Sequence, residues 1–278
     1  MTCKSDSFKT FGRGKMTIVP LTQRHEPRLT GIVGALALSA MLAACSSTVG
    51  GNQATGHGPG ILLFNGAGTS SNDVAAIETL LQRNHLEYAR VNSQRLDAMN
   101  QSQLQSYRLL VVPGGNFVEI GNHLAAGTML NVRNAVQGGL NYLGICAGGF
   151  LAGHFPAPYR SFDLTGGVKF GFYSGESRGV RKAALRIRTP QGEALDQYWE
   201  DGPELSGWGD AVATYPDGTP AVVEGFAGKG WVILTGIHAE APETWRRHLA
   251  FSTPTSASNA YAMTLIDAAL HRGNLPHY

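Results

Sequence analysis

The strongest constraint on this chain is a local pattern that repeats from Gly60 onward. Short apolar runs, each halted by glycine, proline or asparagine, alternate with stretches of helical spacing. Ile61–Phe64 stops at Asn65-Gly66-Ala67-Gly68, and Tyr107–Val112 stops at Pro113-Gly114-Gly115. Leu86–Val91 and Leu140–Ile145 are two more such runs, the second leading straight into Cys146. Between them, residues 73–83 place Val74, Ile77, Leu80 and Leu81 on one helical face, and Thr128–Val136 reads as a further helix. Continuous apolar runs are strands covered on both faces, and strands alternating with helices form a parallel sheet. The expected class is α/β, a mostly parallel central sheet with helices on both faces. Functional loops are then expected at the C-terminal strand ends.

The second half is less regular. Ala183–Ile187, Ala221–Glu224 and Trp231–Ile237 read as strands between Gly- and Pro-rich turns. Residues 257–271 close the chain as an amphipathic helix with Ala262, Leu265, Ile266, Ala269 and Leu270 on one face. No internal repeat or second boundary interrupts residues 60–278, which are expected to form a single domain.

Residues 1–44 have a different character. Lys4, Lys9, Arg13, Lys15, Arg24 and Arg28 stand there against Asp6 and Glu26, followed by an uncharged run over 31–42. A basic segment, a short apolar run and small residues before a boundary describe a secretory signal peptide. The run is too short to span a bilayer, which takes roughly 20 apolar residues. Met16 is a plausible true start. Leu42-Ala43-Ala44-Cys45 resembles the lipobox of bacterial lipoproteins, which implies lipidation of Cys45 and a membrane-surface anchor. Ser46 resembles the sorting pattern for the outer membrane. The expected location is therefore the cell envelope, lipid-anchored and facing the periplasm of a Gram-negative bacterium. Residues 45–59, rich in Gly, Ser and Thr, read as a flexible tether.

The leader holds six of the 22 Lys+Arg and two of the 20 Asp+Glu, so the formal net charge of +2 does not carry over to the remainder. Nothing in that balance suggests a nucleic-acid partner. Three cysteines are too few for a disulfide scaffold or a Cys-only zinc site, and no metal or cofactor is expected. Gly66-Ala67-Gly68 begins like a dinucleotide fingerprint but lacks its third glycine, and Asn92 stands where an acid is needed, so NAD is not expected. That loop is expected to line a pocket near Cys146.

Cys146 sits in Gly144-Ile145-Cys146-Ala147-Gly148-Gly149, a strand end before a helix-compatible segment. Small residues on both sides fit a nucleophile elbow, whose strained turn exposes the side chain and offers backbone N–H groups to an oxyanion. A buried structural thiol is the plainer alternative. A nucleophilic cysteine needs a base, and the base an orienter. Among the nine histidines, His238 ends the apolar run from Trp231, with Glu240 two residues on, on the same side of an extended backbone. Most others lie in polar contexts, and His248 adjoins Arg246 and Arg247 on what reads as a charged helix face. Arg178, Arg181, Lys182, Arg186 and Arg188 cluster near one strand. Solvent-facing positions on an edge strand account for them, while Arg178 facing the pocket would bind a carboxylate.

Gly144-Ile-Cys146-Ala-Gly148 followed by His238-Ala-Glu240 resembles the Cys–His–Glu arrangement of class I glutamine amidotransferase-like domains, a flavodoxin-like architecture. Within that superfamily the chain is similar to the N-terminal domain of biotin–protein ligases. The matching segments are Phe64–Ser70, Val112–Gly115, Cys146–Phe150 and Phe172–Gly179. The resemblance implies that Cys146 is a nucleophile, His238 its base and Glu240 the orienter. Gly114, Gly115 and Ala147 would serve the oxyanion, with Gly66, Gly68 and Arg178 around the substrate. Two departures stand out. Phe150 occupies the position where glutamine amidotransferases carry a substrate-holding Gln, and Ala239 replaces the commoner Pro. No biotin-ligase catalytic domain or ammonia acceptor is present in the sequence. The expected function is a membrane-anchored, cysteine-dependent amide or acyl hydrolase or transferase acting on a small molecule or peptide. The alternative is a non-catalytic lipoprotein that binds a small molecule or an envelope partner in the same pocket. A thiol-redox role is weaker, since no resolving cysteine lies near Cys146.

Overall fold

The structure, a computed structural model, describes residues 59–173 and 181–278. The expected signal segment, Cys45, nearly all of the expected tether and Arg178 lie outside the described residues.

The apolar runs become the centre of one sheet. The first half of the chain runs β1 (Ile61–Phe64), α1 (Ser71–Arg83), β2 (Tyr88–Val91), α2 (Ser93–Asp97), α3 (Gln101–Leu104) and β3 (Leu109–Val112). It continues through α4 (Phe117–Asn122), α5 (Ala126–Gln137), β4 (Asn141–Ile145) and α6 (Ala147–Ala152). The second half contains β5 (Gly171–Phe172), β6 (Lys182–Arg188), β7 (Ala194–Glu200), β8 (Pro203–Glu204) and β9 (Asp210–Thr214). It ends with β10 (Pro220–Ala227), β11 (Gly230–Thr235), α7 (Glu243–Arg246) and α8 (Thr255–His271).

Nine strands form the large sheet in the order β2-β1-β3-β4-β11-β10-β9-β6-β7, while β5 and β8 pair apart. The five strands from β2 to β11 are parallel to their neighbours. From β11 to β7 every pairing is antiparallel. The α/β class is as expected, but the sheet is mixed, and its parallel half carries the site. A two-residue connection sets up the reversal at β10–β11. Ala227 pairs with Gly230, and Gly228 supplies the positive φ of 65° that such a tight hairpin requires.

Four of the parallel strands, β1, β3, β4 and β11, are buried along their whole length because both faces are covered, and the edge strand β2 is not. Side chains alternate across a strand, so Ile61 and Leu63 join one cluster with Ile77 and Leu81 of α1 and Leu265 and Ile266 of α8. Leu62 and Phe64 point the other way, to Leu96 of α2, Leu104 of α3, Met129 and Val132 of α5 and Leu151 of α6. Burying each such side chain contributes roughly 2 kcal/mol. α1 starts where Ser70 accepts the Asp73 N–H at 3.3 Å, a side-chain N-cap.

Four of the described strands, the two-residue β5 and β8 and the longer β7 and β9, escape the sequence pattern. β7 carries buried Asp196 and Gln197 amid its apolar residues. The Asp196 carboxylate accepts the Ser252 N–H at 2.6 Å and the Thr253 N–H at 3.3 Å, which is how an acid is tolerated there. β6 lies between β9 and β7, so it is not an edge strand; β7 is. The solvent-facing alternation expected for Lys182, Arg186 and Arg188 is nevertheless present. Arg246 corrects another expectation. It is buried, with its guanidinium 3.9 Å from the Phe251 ring and Nη1 donating to Thr255 at 2.8 Å. Among the described residues no helix is long and apolar enough to cross a membrane.

Candidate active site

Parallel strands end on the same edge of a sheet. The segments after β1, β3, β4 and β11 therefore meet, and they carry Ser70, Gly114-Gly115, Cys146 and His238. A cavity of about 920 Å³ opens there, and Ser70, Asp73, Gly115, Cys146, Tyr198 and His238 are among its lining residues.

Cys146 has φ 48° and ψ −101°, outside the regions open to L-residues, immediately before α6. Such a conformation costs of order 1–3 kcal/mol and persists only where its surroundings impose it. The imposing contacts are the Cys146 N–H, which donates to Thr235 O at 2.8 Å, and the Tyr142 hydroxyl, which donates to Gly148 O at 2.7 Å. Side chains at the flanking glycines have no room. A β-carbon on Gly148 would lie 2.0 Å from Val112 O, and one on Gly144 would lie 2.5 Å from Gly148 O. The thiol is free and buried, and it donates to the Glu200 carbonyl at 3.6 Å. Neither the Ala147 N–H nor the Gly115 N–H has a hydrogen-bond partner among the described residues.

His238 lies beyond the end of β11. Its N–H donates to Tyr198 O at 2.8 Å, and its ring sits edge-on to Tyr198 and Trp245, with centroids 5.9 and 6.0 Å away. Nδ1 is 2.8 Å from Glu240 Oε1. The two side chains meet through a turn at Ala239-Glu240, not through strand alternation as the sequence suggests. Nδ1 also lies 3.0 Å from Asp73 Oδ1, an acid that sequence reasoning missed. Its signal, Ser70-x-x-Asp73, reads as a capping box in which the acid turns back to the cap. Here it turns toward His238 instead.

His238, Asp73 and Glu240 are all buried. Burial lowers the His238 pKa, but Glu240, Asp73 and Cys146 outweigh it and hold the imidazolium well above the usual range. Burial raises the Asp73 carboxyl, yet the adjacent His238 charge and hydrogen bonds bring it below its ordinary value. Glu240 goes the other way, because its burial exceeds the stabilisation from His238. One ring nitrogen and two carboxylate oxygens within 4.8 Å of one another are also a donor set that a divalent cation can accept.

The aromatic side of the cavity explains Phe150. Its ring stacks on Phe117 at 4.6 Å and meets Phe172 at 4.8 Å, so an apolar wall replaces an amide. The acids near the rim have partners: Glu200 accepts the Tyr198 hydroxyl at 2.6 Å, and Asp201 accepts Arg181 Nε at 2.7 Å. Arg181 and Lys182 line the cavity, as does His248, which has left the helical conformation with φ 68°. Gly66 and Gly68 do not line it. A β-carbon on Gly66 would meet the Phe64 ring and Ser93, and one on Gly68 would meet Ile120 N at 2.5 Å. Their loop reaches the cavity through Ser70, Asn72 and Asp73 instead.

The fold and site define an α/β protein with a cysteine at a strained strand-to-helix turn and a histidine–carboxylate cluster beside it. Residues 60–193 match the family model described as "Biotin-protein ligase, N terminal", the family that the sequence motifs resemble. No curated protein is a significant match to the chain. Among solved structures, an exo-β-1,4-mannosidase from Opitutaceae bacterium strain TAV5 is 14% identical with a TM-score of 0.49, covering 75% of this chain and 36% of that one. A protein assigned as part of a GMP synthase from Thermoplasma acidophilum is 12% identical with a TM-score of 0.49, covering 77% of this chain and 96% of that one. A cytoplasmic protein from Salmonella typhimurium is 11% identical with a TM-score of 0.44, covering 74% and 98%. The chain spans 36% and 30% of the length of the first two solved structures it matches.

Proposed function

We propose that this protein is a cysteine-dependent amide or acyl hydrolase or transferase of the biotin–protein ligase N-terminal-like family, in the class I amidotransferase-like superfamily. The strand order β2-β1-β3-β4-β11 in the parallel half supports that placement, being the flavodoxin-like order. The observation that carries the reading is the strained Cys146 sharing one cavity with His238, whose Nδ1 faces carboxylates.

That orientation leaves Nε2 to take the thiol proton. The thiolate then attacks the substrate carbonyl carbon, and the oxyanion accepts from the Gly115 and Ala147 N–H groups. His238 returns the proton to the leaving nitrogen or oxygen as its bond to carbon breaks. Water, deprotonated by His238, cleaves the thioester and restores the thiol. Glu240 keeps the imidazole in the required tautomer. Phe150 argues against free glutamine as substrate. Lipidation at Cys45 would hold the domain at a membrane surface, and Cys45→Ser is expected to move the protein from the membrane to the soluble fraction; retention in the membrane refutes the anchor.

The test is alkylation by iodoacetamide at neutral pH. Cys146 is expected to react at least tenfold faster than an exposed model thiol, with His238→Asn removing the excess. Equal or slower reaction, indifferent to His238, refutes the reading. A binding protein that keeps the pocket is the second reading, favoured by the thiol's contact with Glu200 O in place of a nitrogen. It predicts undiminished ligand affinity in Cys146→Ala and no turnover by the natural protein.

A further inference from the structure

Glu240 accounts for the orientation of His238 in the family pattern, yet it is not the only carboxylate at the ring. Asp73, in the first turn of α1, places Oδ1 3.0 Å from the same Nδ1, against 2.8 Å for Glu240 Oε1. The two acids meet the same ring nitrogen from neighbouring positions beside α1. Asp73 lines the cavity that holds Cys146, whereas Glu240 is absent from that lining and sits against the α1 and α8 side of the sheet. Asp73 Oδ1 is buried with His238 Nδ1 3.0 Å away as its charged neighbour, while the better-aligned contact of that nitrogen goes to Glu240. An unpaired buried carboxylate oxygen is costly unless a charge stands against it. The chain also keeps space for it: a β-carbon on Gly114 would fall 2.2 Å from this oxygen and 2.7 Å from His238 Cε1.

We propose that Asp73 is a second positioning carboxylate for His238, reaching Nδ1 from the cavity lining, so that this edge of the imidazole is held by two acids rather than by Glu240 alone. This rests on the Cys–His reading above and deepens it. With the ring in its ion-paired state, the Nδ1 proton moves between the two acceptors without a change in ring orientation. Nε2 stays aimed away from both, and the two carboxylates together hold the Nδ1 edge of the ring. The other groups around the ring are the Cys146 thiol, the Tyr198 hydroxyl already given to Glu200, and the Trp245 indole. Arg181, Lys182, Arg247, His248, Glu200 and Asp201 also line the cavity.

The experiment compares the full chain with Asp73→Asn, Glu240→Gln and the double variant, all near-isosteric, after circular dichroism shows them folded. Two readouts are followed from pH 5 to 10: the nitrogen resonances of the His238 ring and the rate of Cys146 alkylation by iodoacetamide. Asp73→Asn is expected to lower the His238 titration midpoint by about one unit, a tenfold change in its protonation constant. It should also raise the midpoint of alkylation, and the double variant should exceed either single change. An Asp73→Asn profile that superimposes on the natural protein while Glu240→Gln shifts overturns the proposal. So does a stoichiometric divalent metal in the purified protein that Asp73→Asn removes. If His238→Asn leaves alkylation unchanged, the Cys–His reading fails, and the ring resonances still decide the part played by Asp73.

Discussion

Gly114 and Asp73 are forty-one positions apart, yet a single methyl group on Gly114 would come within 2.2 Å of the Asp73 carboxylate. The glycine is required by space, since the acid and the His238 ring pass directly over it.

Gly114→Ala is therefore expected to push Asp73 and His238 off their positions while the strands below hold. A stability loss of about 1–3 kcal/mol is the usual scale for overpacking. Displacing the imidazole should cost about 10²-fold in Cys146 reactivity, since misplacements of an ångström carry that penalty. Alkylation kinetics and a melting curve measure both. A variant with unchanged reactivity shows that the ring does not depend on this gap.

The backbone at Cys146 gives a prediction independent of chemistry. At φ 48° and ψ −101° a glycine is relaxed and an alanine strained. Cys146→Gly is expected to be more stable than Cys146→Ala by about 1–3 kcal/mol, against the ordinary loss of about 0.5–1 kcal/mol on placing glycine in a regular element. Denaturant unfolding of the two variants decides it, and the reverse order refutes strain at the elbow.

Phe150→Gln introduces the side chain that glutamine amidotransferases carry at the resembling position. The residue is 2% exposed and packed on Phe117 and Phe172. Loss of the ring and burial of an amide are expected to cost about 3 kcal/mol or more. No glutamine hydrolysis should appear, as followed by ammonia release. Glutaminase activity in this variant means that the pocket is a glutamine site altered at one residue.

Glu224 on β10 is fully buried, accepts the Leu275 N–H at 2.8 Å through Oε1, and leaves Oε2 without a partner. Burial, only partly offset by that N–H, pushes its pKa up to about 7. The folded value thus exceeds the unfolded one, near 4.3. The folded state then binds more protons than the unfolded state between those limits. Its contribution is fully present below the unfolded value and is lost as pH rises through about 7. Glu224→Gln keeps an oxygen for Leu275 and should flatten this decline between pH 5 and 8. Parallel pH profiles for the two proteins remove Glu224 as its source.

Much of the fold was legible locally. Ile61–Phe64, Leu109–Val112 and Asn141–Ile145 are apolar at nearly every position because two layers of helices cover them, and their bounding glycines mark the loops at one sheet edge. Cys146 and His238 were legible for the same reason: each directly follows such a run. β7 was not, because Asp196 breaks its pattern and is satisfied by Ser252 and Thr253, more than fifty residues on. The loop glycines misled in the other direction. Gly66 and Gly68 are needed for packing behind the loop, and Ser70, Asn72 and Asp73 further along face the cavity.

The sequence by itself determined the alternation of strand and helix and the strained turn at Cys146, since these follow from side-chain period and from steric limits on neighbouring residues. It also offered Glu240 as the partner of His238, two residues away, although the contact is made through a turn at Ala239-Glu240 and not through strand alternation. Only the tertiary structure decided that Asp73 shares that histidine. The contact joins the first turn of α1 to the segment after β11, 165 positions later. No local periodicity encodes a charge pair across that separation; it exists because β1, β3, β4 and β11 are stacked in parallel and end together.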